Sequence, residues 1–318
     1  MDEVHLAVFH GSGIPMTIRK ICITEIKVAP NEILGKMLYS SRCGSDLHTI
    51  DGRRIEPTPS VLGHEGVAEV VISNRTEVEI GAKFTFSVID SCSNCELCSR
   101  GLNQKCISLF KHINTKIVAP VNCALATVIN ALSDIETLTA ASNPGTVLVQ
   151  GDGLLGIYSC AWLSSHGYKV FCSGLISKRL ELISQFGGSP LHAEDSSKLI
   201  EANSIDIVVE VCGAKSTVPE AMRVLKPGGL YILVGMIHPD SHLNLTAEMI
   251  MRKCLTIRGV HNYSGRHLQT AVEFLCSTSD KFAYEKLYDP YIYTLNNISK
   301  AIEAAQSLEY HRVLVKPF

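Results

Sequence analysis

Residues 146–167 read TVLVQGDGLLGIYSCAWLSSHG and carry the strongest structural signal in the chain. The segment TVLVQG is an apolar run typical of a buried strand, and GLLGIYSCAWLSSHG has helical spacing. Between them, GDGLLG at 151–156 fits the pattern G-x-G-x-x-G. In this strand–turn–helix context the pattern predicts a dinucleotide site, with a plain glycine turn as the alternative.

The three glycines of this turn would each have a separate task. Gly151 permits the tight turn, Gly153 lets the backbone approach a pyrophosphate, and Gly156 lets the helix pack closely on the strand. The phosphates would then lie at the positive end of the helix dipole.

The pattern of strand followed by helix continues after this turn. From about residue 123 the strand patterns KVFCSG, IDIVVEVCG, LYILVGM and CLTIRGV alternate with the helical patterns SKRLELISQFGG and TVPEAMRVLKPGG. This alternation predicts the α/β class, with a doubly wound parallel sheet of the Rossmann type. Upstream, GKMLYSSR, EGVAEVVIS and AKFTFSVI predict a β-rich region. Downstream, GRHLQTAVEFLCS and NNISKAIEAAQSL predict helices, and HRVLVKPF predicts a last strand.

The second strand of such a unit usually ends in an acid that binds the ribose 2′-hydroxyl. Here that strand ends at Ser173 and Gly174, so no carboxylate stands at the position. A missing acid removes the repulsion against a 2′-phosphate, and Lys178 and Arg179 follow closely. The pattern therefore favours NADP(H), while NAD(H) remains open if the two cations are only a solvated helix start.

Composition excludes several classes of partner. The chain of 318 residues has a formal net charge of −2, which leaves no basic patch for nucleic acid. The N-terminal MDEVHLAVFH has acids where a signal peptide is positive, and the apolar runs are too short to span a membrane. We therefore expect a cytoplasmic protein that binds neither nucleic acid nor membrane.

Four of the twelve cysteines lie together in CSNCELCSRGLNQKC, at positions Cys92, Cys95, Cys98 and Cys106. Four thiolates at this spacing can enclose one tetrahedral zinc ion, which is typical of a structural site. An iron–sulfur cluster also uses closely spaced cysteines. A core of reduced cysteines is a third interpretation, although the polar residues between them favour a surface loop.

A second set of motifs is more scattered: CGSDLH at 43–48, GHE at 63–65 and NCALAT at 122–127. Together with the cysteine loop and GDGLLG, these motifs resemble the zinc-dependent medium-chain alcohol dehydrogenases in order and placement. The resemblance covers nearly the whole chain. It implies a β-rich, GroES-like catalytic domain beside the Rossmann domain, and it makes the cysteine loop a structural zinc site.

The same resemblance implies a catalytic zinc held by Cys43, His64 and Cys123, with Glu65 as a nearby or exchangeable ligand. Two thiolates and an imidazole suit zinc and leave a fourth position open for water or substrate. Taken singly, each of these residues could equally be a packing residue.

Three neighbouring residues receive roles from the resemblance. Asp46 would accept a hydrogen bond from His64. Ser45 would contact the substrate oxygen, and His48 would pass its proton toward solvent.

The implied arrangement is a catalytic domain of residues 1–122 and 262–318 and a Rossmann domain of residues 123–261. The implied reaction is hydride transfer between a small alcohol or aldehyde and a nicotinamide cofactor, either NADP(H) or NAD(H). Two zinc ions per chain and a homo-oligomer are expected.

A narrower resemblance concerns the alcohol dehydrogenases associated with phosphonate catabolism. It is carried by GRRIEPTPSVLGHE, CISLFK, APVNCALATV and RGVHNYSGRHLQTAVEFL. It implies a phosphonate or related anion on the substrate, which Arg53 and Arg54 would bind as a fork. Both arginines could equally be solvated loop charges.

One segment departs from the family pattern. Only ISLFKHINTKIVAPVN separates Cys106 from Cys123, where the family has a markedly longer stretch. The catalytic domain is therefore expected to be shortened. Two other interpretations follow: a non-catalytic nucleotide-binding homologue, and a zinc-independent reductase, against which Cys43, His64 and Cys123 argue.

Overall fold

The computed structural model describes residues 3–30, 32–87, 121–138, 144–237 and 241–316. The chain forms two compact units, one of Met1–Cys123 with Glu285–Phe318 and one of Ala124–Tyr284. The domain ranges expected from the sequence remain predictions beside these units.

Strands and helices are numbered along the chain. The strands are β1 (Glu3–Val8), β2 (Thr17–Cys22), β3 (Ile33–Ser41), β4 (Gly66–Ser73), β5 (Lys83–Phe84), β6 (Thr146–Gln150), β7 (Lys169–Gly174), β8 (Ser189–His192), β9 (Ile205–Glu210), β10 (Leu225–Leu233), β11 (Thr256–Gly259), β12 (Tyr288–Thr294) and β13 (Arg312–Lys316). The α-helices are α1 (Gly44–Ile50), α2 (Ala126–Leu132), α3 (Ile135–Leu138), α4 (Leu154–Ser165), α5 (Ser177–Ile183), α6 (Ser196–Leu199), α7 (Val218–Val224), α8 (Ala247–Arg252), α9 (Gly265–Thr278) and α10 (Ile298–Gln306).

The first unit is built on a sheet of order β12–β13–β3–β4–β5, beside a separate antiparallel pair β1–β2. Burial alternates along β4, with Ala68 and Val70 buried, as expected for a sheet with one face on the core. Ser40 of β3 pairs with Gly66 of β4, and Ser41 pairs with Leu314 of β13. The end of β3, the start of β4 and β13 therefore meet at one place.

The second unit contains a six-stranded sheet of order β8–β7–β6–β9–β10–β11, and all its neighbouring strands run parallel. Its central strand β6 is apolar over most of its length, and Val147, Leu148 and Val149 are fully buried. Continuous apolar strands are expected where helices cover both faces of a parallel sheet. The predicted doubly wound α/β fold is confirmed.

The predicted helical pattern TVPEAMRVLKPGG is helical only in its first part. Helix α7 ends at Val224, before the Pro-Gly-Gly of residues 227–229. That segment lies inside β10, where the register with β9 shifts between Leu225 and Leu230. Proline and glycine here mark a bulge rather than the helix end, in keeping with their weak fit to a regular ladder.

No helix in the described ranges has both the length and the apolar character needed to cross a membrane.

Candidate metal centre and nucleotide turn

The scattered residues Cys43, His64, Glu65 and Cys123 come together in the first unit, with their ligand atoms all within 4.8 Å of one another. Cys43 lies between β3 and α1, and His64 and Glu65 directly precede β4. Cys123 lies in a π-helical turn, Val121–Leu125. The pairing of β3 with β4 explains why the first three are neighbours.

The geometry of the cluster fits a zinc ion. The Sγ atoms of Cys43 and Cys123 are 3.8 Å apart. Two sulfurs that each lie about 2.3 Å from a tetrahedral zinc would be separated by about 3.8 Å. The donors are two thiols, an imidazole and a carboxylate, and the His64 side chain is 23% exposed. The donor set and spacing therefore suit zinc, with access from solvent.

Asp46 orients two members of this cluster. Its Oδ1 lies 3.4 Å from Nδ1 of His64, and its Oδ2 accepts the backbone N–H of Cys43 at 3.0 Å. Burial alone would raise the pKa of the Asp46 carboxyl, yet the neighbouring His64 holds that pKa below its ordinary value. Burial opposes charge on His64 as well, but Asp46 raises the pKa of the imidazole well above its usual range. The raised pKa favours a second proton on the ring. A metal bound at Nε2 would have to displace the proton from that nitrogen.

Glu65 is completely buried and is held by an arginine that the sequence analysis did not identify. Arg312 of β13 donates to both carboxylate oxygens, Nε to Oε2 at 3.0 Å and Nη2 to Oε1 at 2.9 Å. Ser41 also donates its hydroxyl to Oε2. Burial raises the pKa of Glu65 and the paired guanidinium opposes that rise. No motif marks Arg312 in the sequence, because its partner lies 247 positions away.

The two thiols, of Cys43 and Cys123, differ in their pKa. The hydrogen bond from Cys123 lowers the pKa of Cys43 well below its ordinary value, and Arg312 supports the thiolate from 3.7 Å. The pKa of Cys123 is raised well above its ordinary value by the same hydrogen bond and by burial. Cys43 is thus the more acidic thiol of the pair, and a thiolate is the form that binds metal.

The residues with predicted substrate and proton roles lie on or beside α1. Oγ of Ser45 is 3.4 Å from Nε2 of His64, so it lies next to the cluster. His48 is half-buried one turn further along the same helix. Arg53 pairs with Asp51 at 2.6 Å and Arg54 with Glu56 at 2.5 Å, and both arginines are exposed.

The nucleotide turn has the shape that its glycines predict. Gly151 has φ +130°, a conformation that L side chains rarely adopt. A Cβ on Gly156 would lie 1.9 Å from the carbonyl oxygen of Gly151, whereas one on Gly153 would meet no atom within 4 Å. Gly156 is therefore required for packing, and Gly153 leaves open space in front of α4, where a pyrophosphate would approach.

At the end of β7 the structure shows a carboxylate that was not expected. Asp152, the second residue of GDGLLG, projects to Gly174 and receives the backbone N–H groups of Leu175 and Ile176. Of the four predicted residues here, Ser173, Gly174 and Arg179 are buried, and Lys178 is exposed on α5. The sequence gives no signal for Asp152, because the motif treats its position as variable.

Two predictions fall outside the described residues. Cys92, Cys95, Cys98 and Cys106 lie there, so their zinc site stays a prediction. Most of the segment between Cys106 and Cys123, whose shortness departs from the family pattern, lies there as well.

Two family models match separate parts of this chain. Residues 155–277 match a family model described as zinc-binding dehydrogenase, and residues 29–130 match the alcohol dehydrogenase GroES-like domain. A sorbitol dehydrogenase of Halalkalibacterium halodurans is 26% identical over 315 residues, covering 89% of this chain and 90% of that protein. The expected GroES-like domain is confirmed.

Solved structures share the fold. An alcohol dehydrogenase from Thermotoga maritima superposes with a TM-score of 0.88 at 20% identity, covering 99% of this chain and 100% of the other. A protein of Sinorhizobium meliloti solved with NADP bound gives a TM-score of 0.86 at 19% identity, with complete coverage of both chains. At these identities the likeness concerns the fold.

Proposed function

We propose that this chain, which belongs to the zinc-binding medium-chain alcohol dehydrogenase family, transfers a hydride between an alcohol or its carbonyl counterpart and a nicotinamide cofactor. Membership makes it an oxidoreductase of that family. The observation that carries the proposal is the cluster of Cys43, His64 and Cys123, whose two sulfurs have the spacing of zinc ligands.

In this proposal Cys43, His64 and Cys123 hold the catalytic zinc. Glu65 is paired with Arg312 and is the nearby or exchangeable ligand. When bound there, zinc supplies a positive charge that polarises the substrate oxygen and lowers the pKa of an alcohol. Asp46 fixes the ring of His64 in the orientation that the geometry shows.

The chain itself would move the proton. Oγ of Ser45 lies 3.4 Å from Nε2 of His64, which supports a role for its hydroxyl beside the substrate oxygen. Its hydroxyl would take the proton of the alcohol and pass it to His48, which is half-buried on the same helix. The nucleotide turn at Gly151–Gly156 would bind the cofactor, which supplies the hydride chemistry.

A second, structural zinc at the four clustered cysteines is part of the proposal, as is a homo-oligomer. The most specific part of the proposal is a substrate that carries a phosphonate. Arg53 and Arg54 each pair with a carboxylate, so an anionic substrate would have to displace Asp51 and Glu56. A panel of hydroxyalkyl phosphonates and plain alcohols would decide whether that exchange occurs.

Metal content and turnover in the same variants test the proposal. His64→Ala leaves two protein ligands, too few for the usual three-ligand catalytic site, so it should lose one zinc and nearly all turnover. Ser45→Ala should keep its zinc and lose about 10²–10⁴ in rate, the usual contribution of a proton-transfer group. His166→Ala, at an exposed histidine of the second unit just after α4, is the control and should change neither quantity.

Retention of full zinc or full turnover by His64→Ala would refute the assignment. Intact nucleotide binding without turnover on any alcohol in the wild-type protein would instead favour the non-catalytic alternative.

A further inference from the structure

A buried carboxylate occupies the place where β7 ends. Oδ2 of Asp152 accepts hydrogen bonds from the backbone N–H of Leu175 at 2.9 Å and of Ile176 at 2.8 Å. Its Oδ1 lies 4.0 Å from Nη1 of Arg179. Asp152 is only 8% exposed, so this position is fixed by its surroundings.

Gly174 is a glycine because of this carboxylate. A Cβ built on Gly174 would lie 2.3 Å from Oδ2 of Asp152, 2.4 Å from its Cβ and 2.5 Å from its Cγ. No side chain, and therefore no acid, can stand at the end of β7 while Asp152 keeps its conformation. The side chain of Asp152 and that of an acid at the end of β7 would occupy the same space, so only one of them can be present.

We propose that Asp152 takes over the task of the missing strand-end acid and gives the site a preference for NAD(H) over NADP(H). The proposal rests on the proposed function only in requiring that a nicotinamide dinucleotide binds at Gly151–Gly156. In this type of site the adenosine ribose lies at the end of the second strand, where a carboxylate accepts its hydroxyls and repels a 2′-phosphate. Here the carboxylate is that of Asp152, which belongs to the glycine turn and not to the end of the second strand.

The hydrogen-bond donors around Asp152 support the same preference. Two consecutive backbone N–H groups and an arginine are the donors that a 2′-phosphate would need. In this structure the amides of Leu175 and Ile176 already bind an anion that belongs to the chain. A 2′-phosphate would have to displace that carboxylate, whereas a ribose diol can donate to it. An NAD(H) preference is the opposite of the NADP(H) preference that the sequence pattern at Gly174, Lys178 and Arg179 favours.

The test measures binding of NADH and NADPH by fluorescence titration of the full-length protein, without substrate. The wild type should bind NADH at least about tenfold more tightly, a difference of about 1.4 kcal/mol. Asp152→Asn keeps an oxygen for the two amides and removes the charge, so the preference should narrow to within about threefold, about 0.7 kcal/mol. Glu181→Gln, which removes an exposed carboxylate from α5, is the matched control and should keep the wild-type ratio.

A second pair of variants covers the case in which Asp152→Asn does not fold. Gly174→Asp alone should weaken binding of both dinucleotides, because its Cβ collides with Asp152. Asp152→Gly combined with Gly174→Asp moves the acid to the strand end and should restore tight NADH binding.

Three results would overturn the inference: equal or tighter NADPH binding by the wild type, an unchanged ratio in Asp152→Asn, or tight NADH binding by Gly174→Asp alone. A wild type that binds neither dinucleotide would refute the proposed function too. A clear NADH preference without any turnover would count against the proposed function and leave the role of Asp152 standing.

Discussion

Arg312 and Glu65 form an ion pair that is closed off from water, with Glu65 fully buried and the Arg312 side chain 10% exposed. Two charges in such a place are costly to desolvate, and they are tolerated because the guanidinium donates to both carboxylate oxygens. The hydroxyl of Ser41 satisfies a further acceptor position. The pair therefore fixes the carboxylate beside the cysteines and histidine instead of leaving it mobile.

Removing one partner of this pair should be far more damaging than removing a surface pair. Arg312→Met leaves Glu65 buried and uncompensated, and we expect a loss of about 3–5 kcal/mol in the free energy of unfolding. Arg252→Met breaks an exposed Arg–Glu pair on α8 and should change stability little. Urea unfolding of the two variants gives the comparison, and equal effects would show that Glu65 finds another partner.

At the same scale, sequence reasoning located the residues that belong to short motifs and missed those that act across the chain. Cys43, His64 and Cys123 carry recognisable neighbours, and the structure does bring them together. Arg312 stands alone in a strand pattern, and Asp152 occupies a position that its motif leaves variable. Both acquire their roles only through contacts made by folding, with Glu65 and with the amides after β7 respectively.

Among the elements, the unit of β6, the glycine turn and α4 depends most directly on its local sequence. Its strand is apolar because it is buried on both faces, and its helix is buried along most of its length. The short edge strand β8 contains Pro190 and is exposed over its first half, so it lacks the alternation that identifies a strand. Strand β2 is exposed over four of its six residues and gives a similarly weak signal. Strands such as β2 and β8, which are defined by pairing with a neighbouring strand, cannot be predicted one by one from their local sequence.

Two glycines in the same turn should respond differently to alanine. Gly156→Ala places a methyl group 1.9 Å from the carbonyl oxygen of Gly151, so the melting temperature should fall and nucleotide binding should be lost with it. Gly153→Ala meets no protein atom within 4 Å, so the fold should persist while NADH binding weakens, because the methyl group enters the phosphate path. Calorimetry and fluorescence titration separate the two effects, and an unchanged NADH affinity in Gly153→Ala would show that the dinucleotide does not approach this turn.

On the scale of the whole molecule, the two units divide the chemistry between them. Every residue of the metal cluster belongs to the unit of Met1–Cys123 and Glu285–Phe318, and the glycine turn belongs to Ala124–Tyr284. A parallel βα pattern differs plainly from a β-rich one, which is why the sequence favours two domains, and the ranges expected from it stay a prediction. In the structure, α9 packs on α2 inside the second unit.

Removal of zinc should therefore affect one unit selectively. Binding energy at a metal site is folding energy for the segments that supply the ligands. A chelator should accelerate amide exchange in β3 and β4, which flank Cys43 and His64, and leave the buried strands β6 and β9 protected. Hydrogen exchange read by mass spectrometry resolves these peptides, and uniform loss of protection across both units would show that they do not unfold independently.

The position of β13 in its sheet has a consequence for synthesis on the ribosome. The strand pairs with β3 and β12 and carries the arginine that neutralises Glu65, yet it spans residues 312–316. The second unit is one continuous stretch whose parallel strands have all emerged by residue 259. Domains fold as units while the chain grows. The first unit, whose synthesis begins first, should therefore complete its folding last. Until then, a nascent chain would hold its metal-binding thiols in an incomplete sheet, exposed to oxidation and to misplaced ions.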